Sequence, residues 1–272
     1  WMFRNEVEKM KIYGFEMGRA FRNAWFVASV AMGTAIGIAD CMLCVRQYRN
    51  IGEKALIQTW LGTDYQFAYN SLFYVLLPLI ACLPYAGSCF TDMKSGYERN
   101  ICVKTSRLSY MAAKAVSVAA SGAASVAIPL LVNLFVCAGL YPNKLPDKLS
   151  FLYAGIIDCD MFPRLFALHP VGYCLVFTLL DAVFGGLLGL VAMCVARWSG
   201  SRFSTIMGPF ALYVFTGVIF EGDGTGTWSA MDMVNPLQNV VVYRYQMVTM
   251  YVGVCIIPLL LIYMWHRRRD IL

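Results

Sequence analysis

The sequence predicts an all-α polytopic membrane protein with six transmembrane helices, and composition is the first observation behind this. Of 272 residues, 59% are hydrophobic and only 14% are charged, whereas a soluble domain is typically about 45–50% apolar and about 25% charged. At about 20 residues for each crossing, the apolar segments form one transmembrane domain over residues 1–272 and leave no room for a sizeable soluble domain. The predicted spans are about 24–44, 70–90, 115–140, 170–196, 204–220 and 246–265.

The distribution of positive charge predicts the orientation. Most of the 22 Lys and Arg residues fall in the N-terminal segment, in 91–114, in the turn at 197–202 and in the C-terminal tail. Because loops rich in Lys and Arg stay in the cytoplasm, both termini are expected to be cytoplasmic. The net charge of +6 follows from this placement and requires no nucleic acid. The predicted outer loops are 45–69, 141–169 and 221–245.

The N-terminal segment, residues 1–22, mixes acidic, basic and apolar side chains. This pattern predicts an amphipathic helix lying at the membrane interface. It does not predict a signal peptide, because acidic residues are interspersed and no short apolar core with a cleavage site follows.

Residues 91–114 form the longest polar interruption between two predicted spans. Ser95 and Glu98 have capping-box spacing, in which each side chain accepts a hydrogen bond from the other residue's backbone N–H. A helix of about nine residues beginning at Gly96 would be roughly 13 Å long. The segment therefore predicts a short, charged, cytoplasmic helix able to bind a partner.

Asp181 is the residue hardest to place in a bilayer, where a central carboxylate costs about 2.5–3.5 kcal/mol on insertion scales. It shares a helix face with Gly185 and Gly189, which points it towards a neighbouring helix. Two interpretations remain: a polar contact in a translocation path, or an interhelical hydrogen bond that fixes packing. Asp40 lies nearer the outer surface and could extend to it. The intramembrane residues open to either interpretation are Asp181, Asp40, Ser121 and Ser125.

The sequence offers no pattern typical of catalysis or cofactor binding. Neither Lys94-Ser95 nor Lys104-Thr105 follows the glycine of a phosphate-binding loop, and the two histidines lack zinc-ligand spacing. Most of the ten cysteines lie in apolar spans, so a disulfide framework is not expected. We therefore expect that this chain is not an enzyme and holds no cofactor or metal.

Several short motifs resemble one family over the whole chain. They are Glu16-x-x-Arg19-Ala20-Phe21-Arg22-Asn23-x-x-Phe26 before the first span, Asp92 and Ser95-Gly96, Thr105-Ser106-Arg107-x-x-Tyr110-x-x-x-Lys114, Asn133, Pro142 and Pro209-Phe210. The sequence resembles ABC-2 type ABC transporter permeases of Gram-positive bacteria.

The resemblance implies a six-helix permease subunit of an exporter in the bacterial plasma membrane. Such a subunit pairs with a second permease chain, identical or homologous, within the membrane lipid. Two separate ATPase subunits bind ATP and Mg²⁺ and dock beneath the pair. The segment 91–114 would be the coupling loop, and 221–245 would form short re-entrant helices at the external gate. The implied coupling residues are Asp92, Lys94, Ser95, Gly96, Tyr97, Glu98, Arg99, Lys104 and Arg107.

One alternative of another class stays open. The chain could be a polytopic protein that works without an ATPase, either a secondary transporter or a membrane assembly factor. Co-purification separates the two, because only the exporter subunit requires an ATPase of separate sequence.

Overall fold

The computed structural model describes residues 2–48, 55–64, 68–103, 105–144, 161–222, 228–237 and 243–269, and all regular structure within these ranges is helical. The helices are α1 (Met2–Phe21), α2 (Ala24–Tyr48), α3 (Ala68–Cys82), α4 (Ala86–Lys94), α5 (Tyr97–Cys102), α6 (Arg107–Leu140), α7 (Pro163–Leu168), α8 (Pro170–Trp198), α9 (Arg202–Gly222), α10 (Ala230–Val234) and α11 (Arg244–Arg269). Residues 2–21 of the segment predicted as an interfacial helix form α1, and the position of α1 at a membrane interface stays a prediction.

Five of the described helical segments are long and apolar enough to cross a membrane, so the chain is a helical, polytopic membrane protein. The sixth predicted span, 246–265, lies within the helix α11 but is not among these five, and six spans stay a prediction. The five segments are Ala24–Arg46, Ala68–Lys94, Arg107–Leu140, Pro170–Trp198 and Arg202–Ile219.

The second of these segments is broken into α3 and α4 at Pro84. Proline has no backbone N–H, so the carbonyl of Ile80, four residues earlier, loses its helical hydrogen bond. In a bilayer such a group must find another donor. The hydroxyls of Ser29 on α2 and Ser125 on α6 both donate to the Ile80 carbonyl. Two serines on neighbouring helices thus supply the hydrogen bonds that the Ile80 carbonyl lacks at the break.

The centre of the bundle is the packing of α6 against α8. A Cβ atom added at Gly122 would lie 2.9 Å from the Gly185 carbonyl oxygen and 3.0 Å from that of Ala81. A Cβ atom added at Gly186 would lie 3.0 Å from the Ala119 carbonyl oxygen. Small residues let the two backbones approach closely, as is typical of membrane helices.

The predicted outer loop 45–69 is not a surface loop where the structure describes it. Residues 55–64 insert into the bundle, and Trp60 is fully buried. Its Nε1 donates to the Leu130 carbonyl at 3.3 Å, and the Leu61 N–H donates to Asn133 Oδ1 at 2.9 Å. The polar groups of this segment find partners on α6 instead of water, and the position of the loop outside the membrane stays a prediction.

The connection between the two long helices is shorter than the predicted loop 91–114. Helix α4 continues to Lys94 and α6 begins at Arg107, so the connecting helix α5 has six residues. The predicted capping box is wrong. Gly96 adopts the left-handed conformation, with φ of 73°, and the Ser95 N–H bonds to the Thr91 carbonyl at 2.9 Å. Ser95-Gly96 therefore ends α4, as glycine commonly ends helices.

Part of the segment 221–245 also folds back into the bundle. Ser229 caps α10 by accepting from the Asp232 N–H, and Met233 and Val234 are buried. Asn235 Nδ2 donates to Asn70 Oδ1 at 2.8 Å. The described residues 228–237 thus lie among the helices, whereas Val240–Val242 are outside the described residues.

We predict that Gly122→Ala destabilises the bundle although alanine favours a helix by about 1 kcal/mol over glycine. The added methyl group meets backbone atoms that have little room to move, and overpacking costs typically about 1–3 kcal/mol. Thermal unfolding in detergent measures the effect. Gly139→Ala is the matched control on the same helix, because nothing lies within 4 Å of its Cβ position. Equal melting temperatures for the two variants would contradict the close packing.

Candidate functional site

A cluster of charged side chains, which we call the charge network, joins α1, α4 and α6. At its centre Lys114, whose side chain is 1% exposed, reaches acidic groups from two other helices. Lys114 Nζ lies 2.6 Å from Asp92 Oδ2 and 3.1 Å from Glu16 Oε2. It also donates to the Tyr85 hydroxyl at 3.0 Å. That hydroxyl donates in turn to Glu16 Oε2 at 2.7 Å, and Tyr110 donates to Asp92 Oδ2 at 3.1 Å.

Arg19 closes the charge network on the α1 side. Its guanidinium donates to Asp92 Oδ1 at 2.9 Å and to Glu16 Oε1 at 3.1 Å. It also lies 4.7 Å from the centre of the Tyr97 ring on α5. Burial lowers the pKa of Arg19, but the hydrogen bond and negative charge of Asp92 outweigh burial and raise it above its ordinary value. Arg19 therefore stays charged at any physiological pH.

The charge network is electrically balanced, with two carboxylates facing two cations. Removing one member of a buried ion pair costs about 3–5 kcal/mol, because the other charge is left uncompensated. Glu16 and Lys114 lie 98 residues apart in sequence. The network therefore fastens the N-terminal helix to both helices that flank α5.

A second ion pair holds α5 against the end of α8. Arg197 Nη1 lies 2.9 Å from Glu98 Oε2 and 3.0 Å from Glu98 Oε1, and both side chains are largely buried. The opposite side of α5 is exposed at Arg99 and Asn100. Val103, just after the helix, is 87% exposed. One face of α5 is thus fixed to the bundle, and the other is presented to the surroundings.

The nine residues implied as coupling residues divide between these two environments. Asp92 faces inward and is occupied by Arg19 and Lys114, so it offers no surface to a partner protein. Glu98 is occupied by Arg197. Tyr97, Gly96 and Arg107 are half-buried, whereas Lys94, Ser95 and Arg99 are exposed. Lys104 lies outside the described residues.

The intramembrane residues Asp181, Ser121 and Ser125 are all buried. Tyr74 on α3 donates to Asp181 Oδ2 at 2.9 Å, and the other carboxylate oxygen has no hydrogen-bond partner among the described residues. Ser121 donates to the Val118 carbonyl of its own helix, and Ser125 donates to backbone carbonyls as well. These contacts favour packing as the role of both serines and supply Asp181 with one interhelical hydrogen bond.

Asp40 does not extend to the outer surface as expected, since it is 1% exposed. Oxygen and sulfur atoms of Asp40, Cys44 and Asp64 all lie within 4.8 Å of one another, which is within reach of one cation. Each of the three also interacts with other groups. We therefore assign no metal to this cluster.

Sequence reasoning missed how the network residues meet. The sequence places Lys114 and Arg197 only among the charges of cytoplasmic segments and assigns no role to Tyr85. A signal was present: Lys114 is flanked by Ala113 and Ala115, an apolar setting in which a lysine requires an acidic partner. Which acid it meets depends on helix packing and cannot be read from spacing.

The chain matches no known protein-family profile, no curated protein and no solved structure. Conclusions about its function therefore depend on the geometry just described and on the sequence motifs.

We predict that Lys114→Met lowers the free energy of unfolding by about 3–5 kcal/mol, because Glu16 and Asp92 lose a buried counter-charge. Thermal or denaturant unfolding of the purified protein measures this. Lys11→Met is the control, since Lys11 is an exposed lysine of α1 and its loss should change stability by less than about 0.5 kcal/mol. Comparable effects of the two variants would show that the network contributes little.

Proposed function

We propose that this chain is the membrane-spanning subunit of an ABC-2 type exporter of the bacterial plasma membrane. In this proposal α11 is the sixth span and both termini are cytoplasmic. The chain pairs with a second permease chain, and two ATPase subunits bind ATP and Mg²⁺ beneath the pair. The ATPases bind the exposed face of α5 and the adjoining turn at Lys94.

The observation that carries the proposal is the two-sided environment of α5. A solvated turn needs no fixed geometry, yet α5 is held by a largely buried ion pair in which Arg197 Nη1 contacts both carboxylate oxygens of Glu98. Arg99 and Val103 are nevertheless exposed and make no ion pair or ring contact with the described residues. A helix that is rigidly mounted and open on one side suits the transmission of movement from a bound protein.

The mounting also connects α5 to the bundle along two routes. Glu98 connects it to α8, which packs against α6. Tyr97 connects it through Arg19 to the charge network on α1, α4 and α6. A displacement of α5 would therefore move several helices together, as rigid-body transitions require.

At the other end of the bundle, residues 228–237 are consistent with the gate role that the resemblance implies. They contain the short helix α10, Ala230–Val234, which packs among the spanning helices and is followed by Asn235 and Pro236. Tyr173 donates to the Pro236 carbonyl at 2.6 Å. Such a segment closes the space between helices without crossing the membrane.

Asp181 is the observation that favours a secondary transporter instead. Ionisable groups buried within a membrane bundle often belong to proton or ion pathways, and one oxygen of Asp181 lacks a hydrogen-bond partner among the described residues. The two candidates differ in whether an ATPase binds to α5 and whether protons move through Asp181.

The first test is the double variant Lys94→Glu, Arg99→Glu. Both side chains are exposed, so the variant should fold and reach the membrane in normal amounts. Reversed charge at a protein interface can cost several kcal/mol, so the ATPase activity that co-purifies with the tagged chain from its native membranes should fall at least about tenfold. Reversing Glu98 is avoided, because it would also break the pair with Arg197.

Arg164→Glu is the control for this test, because Arg164 is an exposed arginine on the predicted outer side. Co-purified ATPase activity should be unchanged in this variant. Full ATPase recovery with the double variant would overturn the coupling role of α5.

The second test measures proton flux into vesicles that contain only this chain, with a pH-sensitive dye and an imposed pH gradient. An ATP-driven exporter has no need of a titrating carboxyl, so wild type and Asp181→Asn should both match protein-free vesicles. The amide can still accept from Tyr74, so the variant should fold. Proton flux in the wild type that is lost in Asp181→Asn would favour the secondary transporter.

A further inference from the structure

A cavity of about 800 Å³ opens between α1, α2, α4 and the start of α9, beside the charge network. Its lining includes three arginines, Arg19, Arg22 and Arg202, together with the aromatic side chains of Phe15 and Trp25. We propose that this cavity binds the phosphate head group of an anionic phospholipid.

The charges of the lining favour an anion. Arg19 and the lining residue Asp92 neutralise one another within the charge network. Arg22 and Arg202 are both exposed, and neither forms an ion pair with any residue that the structure describes. Two guanidinium groups without an ion-pair partner among the described residues therefore line the cavity, and planar N–H donors of this kind suit phosphate oxygens.

Arg202 is held in place by its neighbours. Its guanidinium carbon lies 5.0 Å from the centre of the Trp25 ring, within range of a cation–π interaction. It also crosses α4 at Gly87, where an added Cβ atom would lie only 2.9 Å from Arg202 Nε. Glycine at position 87 thus makes room for the arginine, and Trp25 orients it.

The surroundings favour a lipid over a free phosphate compound. Trp25 stands at the start of the first span and is 45% exposed, and tryptophan is enriched where a membrane meets water. Gly14 and Gly18 of α1 have no atoms within 4 Å of their Cβ positions, so the cavity extends as an open groove along α1. Basic pockets between transmembrane helices typically bind anionic head groups. Assignment to the cytoplasmic leaflet depends on the proposed orientation, whereas recognition of phosphate does not.

The test is native mass spectrometry of the detergent-purified chain titrated with phosphatidylglycerol and, separately, with phosphatidylcholine of the same acyl chains. We expect wild type to retain phosphatidylglycerol preferentially. Each arginine near an anionic head group contributes about a fivefold factor in binding. The variant Arg22→Gln, Arg202→Gln should therefore lose about 25-fold in affinity for phosphatidylglycerol and little for phosphatidylcholine.

Two controls separate a formed site from general charge attraction. Arg164→Gln, Arg244→Gln removes the two arginines that line a second cavity elsewhere on the chain, and it should leave the lipid preference intact. Gly87→Ala changes no charge but displaces Arg202, so it should weaken phosphatidylglycerol binding severalfold. Gly139→Ala, with open space at its Cβ position, should not.

Three results would overturn the proposal. Equal loss in both double arginine variants would show that only net charge matters. Unchanged binding in Arg22→Gln, Arg202→Gln would place the lipid elsewhere. Inorganic phosphate that displaces phosphatidylglycerol at equal concentration would assign the cavity to a free phosphate compound. None of these results bears on ATPase binding at α5, which is measured separately.

Discussion

A lysine buried among membrane helices must be paired, and the pairing of Lys114 determines how this end of the molecule is arranged. Its two carboxylate partners come from α1 and α4, so neither helix can move away without exposing an uncompensated charge in a medium of low dielectric constant. Arg19 completes the charge balance and extends the contact to Tyr97 on α5. The position of the N-terminal helix, the contact of Arg19 with Tyr97 on α5 and one wall of the arginine-lined cavity all follow from this pairing.

The same need to satisfy polar groups explains residues that sequence alone left ambiguous. Pro84 frees the Ile80 carbonyl, and Ser125 together with Ser29 supplies the missing donors. Ser125 thus donates a hydrogen bond to the backbone of another helix. From the sequence alone, the same serine could equally line a translocation path. Asn133 similarly donates to the Gly37 carbonyl at 2.8 Å. Much of the polar content of these spans stabilises backbone breaks and helix contacts.

The sequence predicted the helical membrane class and the placement of the long helices, because apolar length depends only on local composition. It predicted the details at the ends of the spans less well. The pair Ser95-Gly96 is compatible with the start of one helix or with the end of another. The left-handed conformation of Gly96 shows that the pair ends α4. From the sequence alone, Trp60 could equally lie at the membrane–water interface. The structure instead buries it against α6. Lys114 pairs with Glu16, which lies 98 positions earlier in the chain, and with Asp92, which lies 22 positions earlier. No local sequence pattern specifies these pairings. The motif residues Glu16, Arg19, Asp92, Tyr110 and Lys114 were nevertheless singled out, and the structure brings them together.

The most direct measurement of the central claim is amide hydrogen exchange over residues 11–21 and over α6 in the purified protein, comparing wild type with Asp92→Asn. If the charge network fastens α1 to the bundle, loss of the Asp92 charge should lower protection in 11–21 by at least about a hundredfold, which corresponds to about 3 kcal/mol. Protection in the centre of α6 should persist, since its packing on α8 does not involve Asp92. Unchanged protection of residues 11–21 in the variant would contradict the claim.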